Sequence, residues 1–102
     1  MIYVIATIEV APGQRDAFLT EFRKVVPLVR AEAGCLEYAP AVDLPTDLPA
    51  QAPARENVVT VVEKWESLAA LRAHLQAPHM MEYRARVKEL VVGARLHILQ
   101  PS

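Results

Sequence analysis

"NVVTVVEKWESLAALRAHLQAPHMMEY", residues 57–83, changes period partway along. As far as Trp65 it is dense in β-branched valine, with Val59, Val61, Glu63 and Trp65 on one face, which reads as a strand. Beyond Ser67, a suitable helix N-cap, Leu68, Leu71 and Leu75 recur at helical spacing. Pro78 suits the first turn of a second helical pattern, "HMMEYRARVKELVV", which Gly93 is expected to close. A strand running into a helix broken in two leaves open what pairs with the strand and what the helix covers.

Working outward, "ARLHILQ" (94–100) alternates as a last strand. Upstream, residues 43–56 carry three prolines and no period, so they read as a long connection within one domain. Before them "CLEYAPAVD" (35–43) reads as a strand ended or bulged near Pro40. In "PGQRDAFLTEFRKVVPLVRAEAG" (12–34), Phe18, Phe22, Val25 or Val26, and Val29 mark a helix with a kink expected at Pro27. Gly34 stands where a left-handed cap would end it. "MIYVIATIEV" (1–10) alternates with apolar residues on both faces, so it belongs in the middle of a sheet. The order β-α-β-β-α-β predicts an α+β, ferredoxin-like domain, a four-stranded antiparallel sheet with helices on one face. The other face also needs cover. A second copy of the same sheet would supply it, giving a homodimeric α+β barrel.

Composition agrees with a single domain over residues 1–102: 53% of the chain is hydrophobic. Eleven basic residues are scattered among twelve acidic ones for a net charge of −1, so no basic stripe exists to follow nucleic-acid phosphates. Apolar runs fall far short of the ~20 residues that cross a bilayer. The N-terminus lacks a basic leader, and the one cysteine, Cys35, has no partner for an internal disulfide, so a cytoplasmic location is expected.

Chemistry-bearing residues are few. Glu63 is out of place in a valine strand, where a carboxylate must find hydrogen bonds or take up a proton; an ion pair with an arginine is the plainer expectation. Trp65 on the same face is either packing or a pocket wall whose indole N–H holds a ligand oxygen. His74 falls roughly 80° from the centre of its helix's apolar face, at ~100° per residue, which makes it a border residue. His79 sits similarly on the next helix. Both imidazoles are candidates for proton transfer near neutrality. Met80 and Tyr83 fit a core or an adaptable pocket wall. The two histidines are five apart, not the i,i+4 pair that grips a metal, and no glycine-rich phosphate loop is present. No metal and no cofactor are expected.

These pieces resemble the antibiotic biosynthesis monooxygenase family of dimeric α+β barrel proteins. The likeness is carried by "APGQRDAF" (11–18), "AEAGCLEY" (31–38) and "EKWESLAALRAHLQAPHMMEY" (63–83). It is nearest the quinol monooxygenases in "KVVPLV", "GCLEYAPAVD" and the "ILQP" ending. The resemblance implies a cofactor-independent oxidation of a quinol or related polyphenol by O2, in a homodimer. It implies His74 as base or hydrogen-bond partner and Trp65 as pocket wall and donor, with Tyr38, Glu63, His79, Met80 and Tyr83 as substrate lining. Positions matching the haem-degrading relatives hold Ala6, His74 and Arg84, which disfavours haem cleavage. Val61 stands where anthrone-oxidising members have asparagine. Two rivals remain: a cofactor-free isomerase of a small carbonyl metabolite, and a quinone-binding stress protein without turnover.

Overall fold

The computed structural model describes residues 1–102. The elements run β1 (Ile2–Val10), α1 (Arg15–Arg30), β2 (Cys35–Ala41), β3 (Val58–Trp65), α2 (Leu68–Leu75), α3 (Pro78–Val87) and β4 (Val91–Leu99). All pairings are antiparallel and the sheet order is β2-β3-β1-β4. This is the ferredoxin-like arrangement, with the second helix split as the sequence implies. The valine-rich strands β1 and β3 take the centre. Pro40, which cannot donate to a ladder, lies on edge strand β2, where the missing N–H is tolerated.

All three helices lie against one face. On that face Val4, Ala6, Ile8 and Val10 of β1 sit beside Val59, Val61, Glu63 and Trp65 of β3, and all are buried. Helix α1 covers β2 and β3, and α3 leans on α1. An aromatic run fills the angle between them: Phe22 stacks on Tyr38 at 5.6 Å and meets Tyr83 edge-on at 5.5 Å. Ser67 caps α2 as expected, its hydroxyl accepting from the Ala70 N–H at 3.1 Å. Pro27 lies inside α1, which continues past it to Arg30.

Two boundaries differ from the sequence reading. Helix α3 stops at Val87 instead of running to Gly93, because Val91 and Val92 enter β4 and Gly93 pairs with Glu9. The β-branched pair prefers the ladder to a last helical turn. Likewise α1 ends at Arg30, and Gly34 closes the turn after it with φ +82°.

Gly34 matters for a second reason: a Cβ there would lie 2.6 Å from the Ala70 Cβ of α2. The α1–β2 turn can approach α2 this closely only with glycine. Gly34→Ala is expected to cost about 2 kcal/mol or more, combining backbone strain at positive φ with the overlap. Adding Ala70→Gly should recover the overlap part alone, so a double-mutant cycle in denaturant will show favourable coupling. Strict additivity would mean that the contact is not as close as described.

Candidate active site

Between α3 and the β1–β4 half of the sheet lies a cavity of about 460 Å³. Its floor includes Ala6 of β1 and Ala94 of β4, and its roof Met80, Tyr83 and Val87 of α3. The two alanines are too short to fill the space between sheet and helix, so the layers enclose a hollow where interiors are otherwise close-packed. Twelve of the 16 lining residues are hydrophobic. Such a surface favours an apolar ligand over a hydrated one.

The polar groups gather where β2, β3 and α2 meet: Tyr38, Glu63 and His74 all line the cavity. Glu63 does not pair with an arginine. Its Oε1 accepts the Trp65 indole N–H at 2.9 Å, and Oε2 has no protein partner. Burial pushes the carboxyl up to about 7; the Trp65 hydrogen bond pulls the other way, and the charge of Glu32 adds to the rise. Near neutrality Glu63 is therefore divided between acid and carboxylate.

His74 is 2% exposed, so it is enclosed and not a border residue. The inward face of α2 centres on Leu71 and His74, while Leu68 at the first turn is 44% exposed. The imidazole tolerates burial because Glu32 Oε2 lies 3.0 Å from its Nδ1. The same oxygen lies 2.6 Å from Nε2 of His79. Burial drives the His74 pKa below the ordinary imidazole value, against the pull of Glu32. The ring is thus neutral at pH 7. Its Nε2 makes no hydrogen bond, and no buried polar side-chain atom lacks a partner, so Nε2 opens onto the cavity. The hydroxyls of Tyr38 and Tyr83 are held protonated, their pKa values raised mainly by burial.

Of the residues expected at a site, the fold brings together Tyr38, Glu63, His74, Met80 and Tyr83. Trp65 is fully buried with its N–H committed to Glu63, so it stands behind the cavity and not in its wall. His79 turns to Glu32 and also stays out of the lining. His97 lies on the opposite face of the sheet, paired with Ile5. Glu32 is the residue that the sequence reading missed. Nothing local marks it, since it lies 42 residues from His74 in a turn without periodicity.

Residues 1–86 match the family model for antibiotic biosynthesis monooxygenases. The chain is 47% identical to "Probable quinol monooxygenase YgiN" of Escherichia coli, over 100% of this chain and 99% of that one. Among solved structures, PA3566 from Pseudomonas aeruginosa superposes with a TM-score of 0.80 at 29% identity, covering 99% of this chain and 93% of the other. Rv0793 from Mycobacterium tuberculosis does so with a TM-score of 0.80 at 27% identity, covering 99% and 94%.

The Glu63 environment sets a pH dependence of stability. A carboxyl raised from 4.5 to about 7 holds its proton more tightly when folded. Its contribution is complete below pH 4.5 and is lost as pH rises through 7, a difference of about 3 kcal/mol at most. Glutamine can still accept from Trp65 but cannot ionise. Glu63→Gln should therefore gain on wild type by about 1–3 kcal/mol between pH 5 and pH 8 in urea unfolding. An equal difference between the two proteins at both pH values would show that Glu63 ionises normally.

Proposed function

Because the chain belongs to the antibiotic biosynthesis monooxygenase family, we propose that it oxidises a quinol, or a related electron-rich polyphenol, with dioxygen inside this cavity. The supporting observation is the pair at its inner end. His74 is pushed toward the neutral base, and Glu63 is pushed toward the protonated acid. Two groups moved in opposite directions in one largely apolar cavity make an acid–base pair that works near pH 7.

The reaction balances as quinol plus O2 giving hydroxyquinone plus water. The ring hydroxyl passes its proton to His74 Nε2. Moving that proton from a free phenol, near 10, to a free imidazole, near 6.5, costs about 5 kcal/mol. That fits inside the roughly 16 kcal/mol barrier of a step occurring ~10 times a second. The imidazolium formed would lie between the substrate oxyanion and the Glu32 carboxylate, which offsets part of the cost. The quinol anion gives one electron to O2, and the resulting pair closes a C–O bond. Protonated Glu63 supplies the proton to the bound peroxide. Cleavage of O–O and of the C–H bond at that carbon then leaves the new carbonyl: the C–H proton passes to Glu63, and the imidazolium proton leaves with the departing hydroxide as water, which restores both groups. The substrate is its own reductant, so the scheme calls on no cofactor.

The reading includes a homodimer. The sheet face away from the helices carries Ile5, Val62 and Leu99 among polar residues. On the helix side, Leu96 and Ile98 of β4 are 43% and 50% exposed. Adjacent on one strand, they offer an apolar surface that a second copy could cover.

Oxygen uptake by metal-free protein with 2-methyl-1,4-naphthoquinol, together with 18O incorporation measured by mass spectrometry, tests the proposal. No rate above the autoxidation blank would remove it. His74→Ala should lower kcat by about 10²–10⁴. The pH profile should be bell-shaped, its falling limb near 7 arising from loss of the Glu63 proton and disappearing in Glu63→Gln.

A further inference from the structure

We propose that Glu32 is the positioning residue of the cavity's base. It holds His74 in the Nδ1–H tautomer, so that the Nε2 lone pair faces the cavity, and His79 holds Glu32 in place.

The geometry starts in the α1–β2 turn. Gly34 brings that turn against Ala70, and Ala70 lies one helical turn before His74 on the same face of α2. The close approach that only glycine permits is therefore what carries Glu32 within reach of His74. Helix α3 supplies the second contact from its first turn, where Pro78 sets the start and His79 follows. One oxygen, Glu32 Oε2, thus joins the turn, α2 and α3 at 3.0 Å from His74 Nδ1 and 2.6 Å from His79 Nε2.

The chemistry of the oxygen decides the protons. A carboxylate only accepts, so each imidazole must present an N–H to it. A free imidazole divides between two tautomers; this one is confined to the form with hydrogen on Nδ1. Its other nitrogen is then a lone pair aimed at the substrate space. Were the tautomer reversed, Nε2 would donate and could not take a proton. The carboxylate also sets the strength of the base, since its charge opposes the fall that burial imposes on His74. Its side chain is 13% exposed. The other titratable or charged groups around His74 are Tyr38 of β2, Glu63 of β3, and His79 and Arg84 of α3.

The kinetic consequences rest on the oxygenase reading above, whereas the tautomer does not. The test is therefore double. Imidazole 15N NMR of the full chain, with His74 assigned by its loss in His74→Asn, should show a neutral ring protonated at Nδ1. Glu32→Gln should mix the tautomers and move the His74 titration to lower pH. In quinol oxidation Glu32→Gln should lower kcat about 10–100-fold with KM unchanged, and should shift the rising limb of the pH profile to lower pH. Glu32→Asp should recover part of both losses, which a merely structural role would not require. Wild-type His74 protonated at Nε2, or a titration indifferent to Glu32→Gln, would overturn the proposal. If Glu32→Gln does not fold, the wild-type spectrum alone decides the tautomer. If no quinol is oxidised by the wild type, the oxygenase reading fails and the spectrum still decides the role of Glu32.

Discussion

Three helices must cover four strands, and the helical layer ends one strand short. Helix α1 lies over β2 and β3, and α3 is propped on α1 instead of lying flat on the sheet. Beneath α3 the chain offers Ala6 and Ala94 where bulkier residues would close the gap. A filled core would need side chains that span the usual ~10 Å between layers. The cavity is therefore a consequence of layer geometry and two small residues, and the rest of the site is arranged around it.

Burying polar groups beside an apolar hollow is costly unless each one is matched. The structure divides that load between two carboxylates. Glu32 keeps some solvent and takes two imidazole N–H donors. Glu63 has one indole donor and a deeper position, which suits the protonated form at low pH and leaves it poised near 7. The charge of Glu32 adds to the cost of ionising Glu63, which is part of the reason that Glu63 stays protonated as far as it does. Trp65 therefore acts on the cavity indirectly. It holds one oxygen of Glu63 and leaves the other free.

The strands, their order and the broken second helix were legible because period 2 and period 3.6 are local signals, and β1 and β3 carry them strongly. The exact end of α3 was not. "VKELVV" continues a helical pattern, and only the pairing of β4 with β1 decides that Val91 belongs to the sheet. The site was half legible. Glu63 could be singled out as a polar residue on an apolar face and His74 as one at the border of such a face, whereas Tyr38 entered only through the family resemblance. The depth of His74 could not, because a helix's inward face depends on what it packs against, and Leu68 was counted as core although it faces solvent. Glu32 was out of reach altogether. Its meaning comes from a turn folded against two helices that lie 42 and 47 residues further along the chain.

Strand β4 has two roles that bear on each other. Ala94 and Leu96 form part of the cavity, yet Leu96 and Ile98 on the same face lie open in the single chain. Burial of exposed apolar area contributes roughly 25 cal/mol per Å², so a few such side chains supply several kcal/mol toward whatever covers them. A second copy laid over this strand would therefore do more than bury surface. It would also narrow the mouth beside Arg84 and Lys88, the two cations of the lining, and shut water away from His74 and Glu63. Water exclusion strengthens both the acid–base pair and the hold of Glu32 on His74, since each is electrostatic and each weakens in a high dielectric. Assembly and chemistry would then be linked through one strand. A helical layer that stops short exposes β4, and that exposure would give a second copy the means to complete the site.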